Sequence, residues 1–191
     1  MPVIRMPLLA AKEMAAALLP HISRDKWEAR QPLGSATLGI TESQFAFATD
    51  RYTLARYDLT NLASEWPTEP VFVPRDLLAV IGTLGNATLF EGLTQYEVVI
   101  EVGANPSIKA DSAFRWEAAL KVRHLREDQP PQVHFMRVFR AMDQTAKHLP
   151  FNRLLEEWVT GDEVNPRALL GADHLGKFTG YARRSRTPMR L

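Results

Sequence analysis

Between Gln44 and Leu59 the chain alternates in a way that suits a two-stranded ribbon and little else. Phe45 and Phe47 alternate with small or polar residues up to Thr49, and the alternation resumes from Tyr52 through Tyr57. Successive strand side chains point to opposite faces, so this period of two predicts two half-buried strands. Asp50-Arg51 falls between them and is the expected bend, because a short Asp side chain supplies an acceptor for a tight backbone.

The rest of the chain supplies helices and further strands around that hairpin. Leu8, Ala11, Ala15, Leu18 and Ile22 fall on one helical face, with Met14 and Leu19 beside it, so Leu8 to Ile22 reads as a helix that Pro20 breaks or kinks in its last turn. A charged connector leads to a strand over Ala36 to Thr41. Pro74 opens a second helix at a position where its missing N–H costs nothing, and Gly85-Asn86 supplies the stop. Strands are expected over Thr88 to Glu91, Gln95 to Val102, Ser107 to Ala110 and Phe114 to Val122. Helix-then-strands thus occurs twice. Farther on, Val133 to Met142 and Phe151 to Val159 read as helical, and Asn165-Pro166 opens a third helix.

Composition narrows the class of protein. Over 191 residues, 46% hydrophobic and 24% charged, the chain has ordinary globular values. With no cysteine, disulfides, thiolate metal sites and cysteine nucleophiles are excluded together, and a cytoplasmic location is expected. No apolar run approaches the length of a membrane span, and Met1 to Pro7 lacks a signal-peptide layout, so no membrane partner is expected. A net charge of +1 leaves any nucleic-acid role to local clusters.

Several fragments carry a family resemblance. Ala48-Thr49-Asp50-Arg51-Tyr52-Thr53-Leu54-Ala55 resembles the Ala-Thr-Asp-Gly-His-Arg-Leu-Ala motif in the middle domain of the bacterial DNA polymerase III beta subunit, the replicative sliding clamp. Val71-Phe72-Val73-Pro74-Arg75 is similar to that family's Val-Ile-Val-Pro-Arg/Lys, which also ends a strand and opens a helix. Leu125 to Pro131 resembles the segment leading out of the middle domain, Asn165 to Leu170 the helix start of the last domain, and Thr187 to Leu191 the family's terminal Met-Pro-Met-Arg-Leu. The chain departs from the family where its turn Gly is Arg51, its His is Tyr52 and its Arg is Thr53.

The resemblance implies an α+β, DNA-clamp-like fold: a doubled β-α-β-β-β unit with helices on one face of curved antiparallel sheet. A clamp-like domain is expected over residues 1–122, and a linker with a partial, mostly helical C-terminal unit over 123–191. It further implies a sliding-clamp-like processivity factor, not an enzyme, that holds double-stranded DNA without regard to sequence. Short peptides of a DNA polymerase or other replication proteins would dock on it, and it would work as a homo-oligomer. The implied peptide pocket comprises Met14, Thr49, Arg51, Leu54, Pro131 and Met189. The implied DNA contacts are Lys12, Arg24 and Arg75; separately, Arg183, Arg184 and Arg186 lie in a basic run that suits either phosphate neutralisation without base reading or a solvated tail. A clamp-derived interaction module that never encircles DNA is the alternative, favoured by helix faces poor in basic residues.

Other chemistry is thinly represented. Gly171 to Lys177 has P-loop spacing, but Phe178 stands where a Mg²⁺-binding Ser or Thr belongs, which weakens a nucleotide-binding enzyme. The histidines at 21, 124, 134, 148 and 174 form no metal-type pair, and neither a metal nor a cofactor is expected.

Overall fold

The computed structural model describes residues 2–25, 31–39, 44–51, 53–84, 95–110, 112, 115–126 and 129–150. Met1–His148 and Leu149–Leu191 form two compact units, and every described helix and strand belongs to the first.

That unit is α+β. In chain order it comprises β1 (Val3–Pro7), α1 (Leu8–Leu18), β2 (Ser35–Leu38), β3 (Phe45–Thr49), β4 (Leu54–Asp58), β5 (Val71–Pro74), α2 (Arg75–Thr83), β6 (Tyr96–Ala104), β7 (Trp116–Arg126) and β8 (Gln129–Arg140). Among the described elements the order β-α-β-β-β therefore occurs twice. The strands build two antiparallel sheets, β1-β6-β7-β8 and β4-β3-β2-β5. Each half keeps three strands in its own sheet and contributes its first strand to the other: β1 pairs with β6, and β5 with β2.

Residue pattern explains the layering. Tyr96, Val98, Ile100 and Val102 of β6 alternate inward and meet Ala118, Leu120 and Val122 of β7 in one core. Leu8, Met14, Ala15 and Leu18 present one face of α1 to that core, and α2 adds Leu77, Leu78 and Ile81. The two helices pack against each other. Pro20 falls in a 3-10 turn over Leu19–His21, so the α-helix ends at Leu18, as a residue without an N–H requires. Pro74 closes β5 and caps α2, a dual role that its fixed φ permits.

Two sheet edges are capped. On β1, the Arg5 N–H donates to the Glu65 carbonyl at 2.9 Å, and the Ser64 N–H donates to the Arg5 carbonyl at 2.8 Å. On β5, the Gln144 side chain acts as a one-residue strand. Its Oε1 accepts the Phe72 N–H at 2.8 Å, while its Nε2 donates to the carbonyls of Phe72 at 3.2 Å and Met142 at 3.0 Å. Such caps prevent edge strands from recruiting other chains.

Three sequence expectations need correction. Val133 to Met142 is not a helix: residues up to Arg140 belong to β8, paired along β7. Its apolar spacing satisfies both periods, and the backbone groups along β7 decide the matter by demanding a partner. Ser107 to Ala110 is a turn, begun where the Asn105 Oδ1 accepts the Ser107 N–H at 2.9 Å and the Asn105 carbonyl accepts the Ile108 N–H at 3.1 Å. The expected boundary at 122 falls inside β7, and the compact unit continues to His148. The expected strand over 88–91 and the segments expected to be helical beyond 150 lie outside the described residues.

Candidate functional site

The hairpin that dominates the sequence is present, and its turn is closely bonded. Thr49 and Leu54 face each other at the last pair of the β3–β4 ladder. Asp50 Oδ1 accepts the Thr53 N–H at 2.9 Å and the Thr53 hydroxyl at 2.8 Å. The Thr49 hydroxyl donates to the Thr53 carbonyl at 2.6 Å and accepts the Arg51 N–H at 3.2 Å. Because the single Thr53 hydroxyl proton goes to Asp50, His21 Nδ1, 2.8 Å from that oxygen, must be the donor between them. His21 thus ties the end of α1 to the hairpin turn. His21 and Thr53 are 32 positions apart, and nothing in the sequence pairs them.

Arg51 is exposed and has φ +79°, in the left-handed region that favours glycine. It occupies the position where the resembling motif carries Gly. A non-glycine residue there costs about 1–2 kcal/mol, part of which glycine returns through a more flexible unfolded chain. Arg51→Gly is expected to raise stability by about 0.5–1 kcal/mol in urea unfolding. A loss of stability would show that the Arg51 side chain contributes more than its backbone costs.

The expected pocket residues separate. Thr49, Arg51 and Leu54 come together at the hairpin, Leu54 half-buried and Thr49 engaged in the turn. Met14 is fully buried in the core, so its side chain offers no surface to a peptide. Pro131 is exposed on β8, in the other sheet. Met189 lies outside the described residues, as do Arg183, Arg184, Arg186 and the segment Gly171 to Lys177.

The expected DNA contacts within the described residues are modest. Lys12 is half-buried and donates to the Leu84 carbonyl, joining α1 to the end of α2. Arg75 is half-buried at the start of α2, its Nε without a hydrogen-bond partner, and Arg24 is exposed beyond the 3-10 turn. Glu13 follows Lys12 and accepts the Tyr57 hydroxyl at 3.0 Å, while exposed Asp76 follows Arg75. Across α1 and α2 the two cations are therefore matched by two anions.

Two polar clusters escaped the sequence reading. On sheet β1-β6-β7-β8, Glu97 pairs with Arg123 and with Arg5 at 3.9 Å, and Glu101 pairs with Lys121 at 2.7 Å. These are cross-strand neighbours, visible only once the register is known. At the far end of β7, Tyr96 stacks on His124 at 4.7 Å, and His134 meets His124 edge-on at 5.4 Å. His124 Nδ1 accepts from Arg126 at 3.2 Å and lies in a ring whose Nε2 is 3.0 Å from Gln95 Oε1. Desolvation, then Arg126 and His134, lower its pKa. Among the described residues no group of three His, Asp or Glu could hold a metal ion, and no helix is long and apolar enough to cross a membrane.

No protein-family model matches the chain, and no curated protein matches it.

Proposed function

We propose that this chain is a sliding-clamp-like processivity factor, a non-catalytic protein that holds duplex DNA topologically and docks short partner peptides. One observation carries the reading: the β-α-β-β-β order occurs twice, with each half contributing its first strand to the sheet of the other. That is the doubled unit the sequence resemblance implies, and the positive φ of Arg51 suits the glycine of the resembling motif. One such unit cannot surround a duplex, so the ring contains several copies. The peptide site centres on Leu54 and the hairpin.

The test is retention on closed circular DNA. Protein loaded on a circle is expected to stay bound and to be released when the circle is cut, with no preference for sequence. Initial association through phosphates weakens with salt, and replacing Arg183, Arg184 and Arg186 by Gln is expected to reduce the slope of log affinity against log salt by up to about 3. Equal retention on linear and circular DNA, or none on either, would overturn the ring.

A second reading has its own support. Lys12 and Glu13 on α1, with Arg75 and Asp76 on α2, leave the helices no net charge with which to attract a duplex. This favours a clamp-derived interaction module that binds peptides and does not encircle DNA. Peptide binding without circular-DNA retention distinguishes it.

A further inference from the structure

β8 is the terminal strand of its sheet, and among the described residues no backbone hydrogen bond reaches its outer edge between Gln132 and Phe139. Among the described residues the edges of β1 and β5 are capped, whereas this longer one is blunted at its start alone. There Pro130 and Pro131 lack the N–H groups that edge pairing needs.

The side chains of β8 divide by face. Phe135 and Phe139 pair with Val122 and Ala118 and anchor the strand to the core. Met136 and Val138 pair with Lys121 and Ala119 on the opposite face. Simple alternation would send Val133 to the core side, with Phe135. A register shift intervenes: Phe135 pairs with Val122 and Val133 with Arg123, so His134 is the extra residue and Val133 returns to the face of Met136 and Val138. The bulge thus assembles a strip of three apolar side chains, 54%, 58% and 48% exposed at Val133, Met136 and Val138.

Charge completes the surface. From Gln129 to Arg140 the strand carries Arg137 and Arg140 and no acidic residue. Arg137 is exposed on the core-side face, its guanidinium 5.1 Å from the centre of the Phe139 ring, and forms no ion pair among the described residues. A second copy pairing its own β8 antiparallel to this stretch would set the Arg137 side chains near each other, which opposes that pairing.

We propose that the β8 edge from Gln132 to Arg140 is a docking site for an extended, acidic peptide segment of a partner protein, added as a further antiparallel strand. Its apolar residues, at alternate positions, cover Val133, Met136 and Val138. Its carboxylates fall on the opposite face, beside Arg137. The site is separate from the hairpin around Leu54 and does not depend on DNA being encircled.

A labelled nonapeptide alternating Val with Glu, and a control alternating Val with Lys, test this by fluorescence anisotropy on the full chain. The Glu peptide is expected to bind about fivefold or more tightly than the Lys peptide. Met136→Glu, at an exposed position, should weaken it by about tenfold at an unchanged melting temperature. Arg137→Glu should transfer the preference to the Lys peptide. Binding that ignores peptide charge, or is untouched by Met136→Glu, would overturn the proposal. So would a sedimentation mass showing a dimer that Met136→Glu dissociates, since a second copy would then occupy the edge.

Discussion

Replacing Met14 by Ala is expected to cost about 2–5 kcal/mol of folding free energy, as for other large-to-small changes at fully buried sites. Met14 has no exposed surface and packs in the core beside Leu8, Ala15 and Leu18, so truncation leaves a cavity rather than an altered binding surface. Leu54 provides the contrast. It is half-buried at the mouth of the hairpin, opposite Thr49, and is absent from the buried core. Leu54→Ala should therefore cost less than about 2 kcal/mol. In the clamp-like reading it should also abolish binding of a Gln-x-x-Leu-x-Phe-type peptide. Urea unfolding of both variants and peptide anisotropy of the second separate the two residues. A small loss for Met14→Ala would place Met14 at the surface, and a large loss for Leu54→Ala would make the hairpin core alone.

The contrast shows where sequence reasoning was sufficient. A 3.6-residue period marked Leu8, Ala11, Ala15 and Leu18 as one helical face, and all four are buried. That same period set Met14 beside them, so its burial was legible from the helix, while its assignment to a pocket came from resemblance alone. Pro20 and Pro74 marked helix boundaries because their chemistry is local and strong. The hairpin was legible for a similar reason: a period of two and an Asp-containing bend are both local signals.

Signals that depend on distant partners were not legible. Val133, Phe135, Met136, Val138 and Phe139 satisfy a helical face and a bulged strand equally well, and only pairing with β7 chooses between them. The same pairing turns Val133 outward, so the apolar strip on β8 could not be seen in the sequence. Glu97, Arg5 and Arg123 come from three strands and meet through register. His21 and Thr53 meet because α1 ends beside the hairpin turn. The Gln144 cap on β5 needs a side chain 72 residues from Phe72, the residue it bonds, which no short-range pattern reports.

Two glycine substitutions should move stability in opposite directions for reasons fixed by their surroundings. Gly39, directly after β2, has φ +77°, and a Cβ there would lie 2.4 Å from the Glu69 carbonyl oxygen and 3.0 Å from Pro67 atoms. The left-handed backbone costs an Ala about 1–2 kcal/mol. Forcing two backbone segments apart adds about 1–3 kcal/mol, since a carbonyl held in a loop yields less readily than a side-chain tip. Gly39→Ala is therefore expected to destabilise the unit by about 2–5 kcal/mol. The displaced loop includes Ser64 and Glu65, whose bonds to Arg5 cap β1, so amide exchange at Arg5 should also accelerate. Gly82 lies within α2, where a Cβ would meet only Leu19 Cδ1, at the ordinary distance of 3.8 Å. There Ala gains helix propensity and a contact with the 3-10 turn that follows α1, so Gly82→Ala should stabilise by about 0.5–1 kcal/mol. Urea midpoints for the two variants, measured beside the unaltered protein, give the signs directly. A tolerated Gly39→Ala would mean that β2 and the loop over Pro67 to Glu69 are not held at this close approach, and the cap on β1 would lose its support.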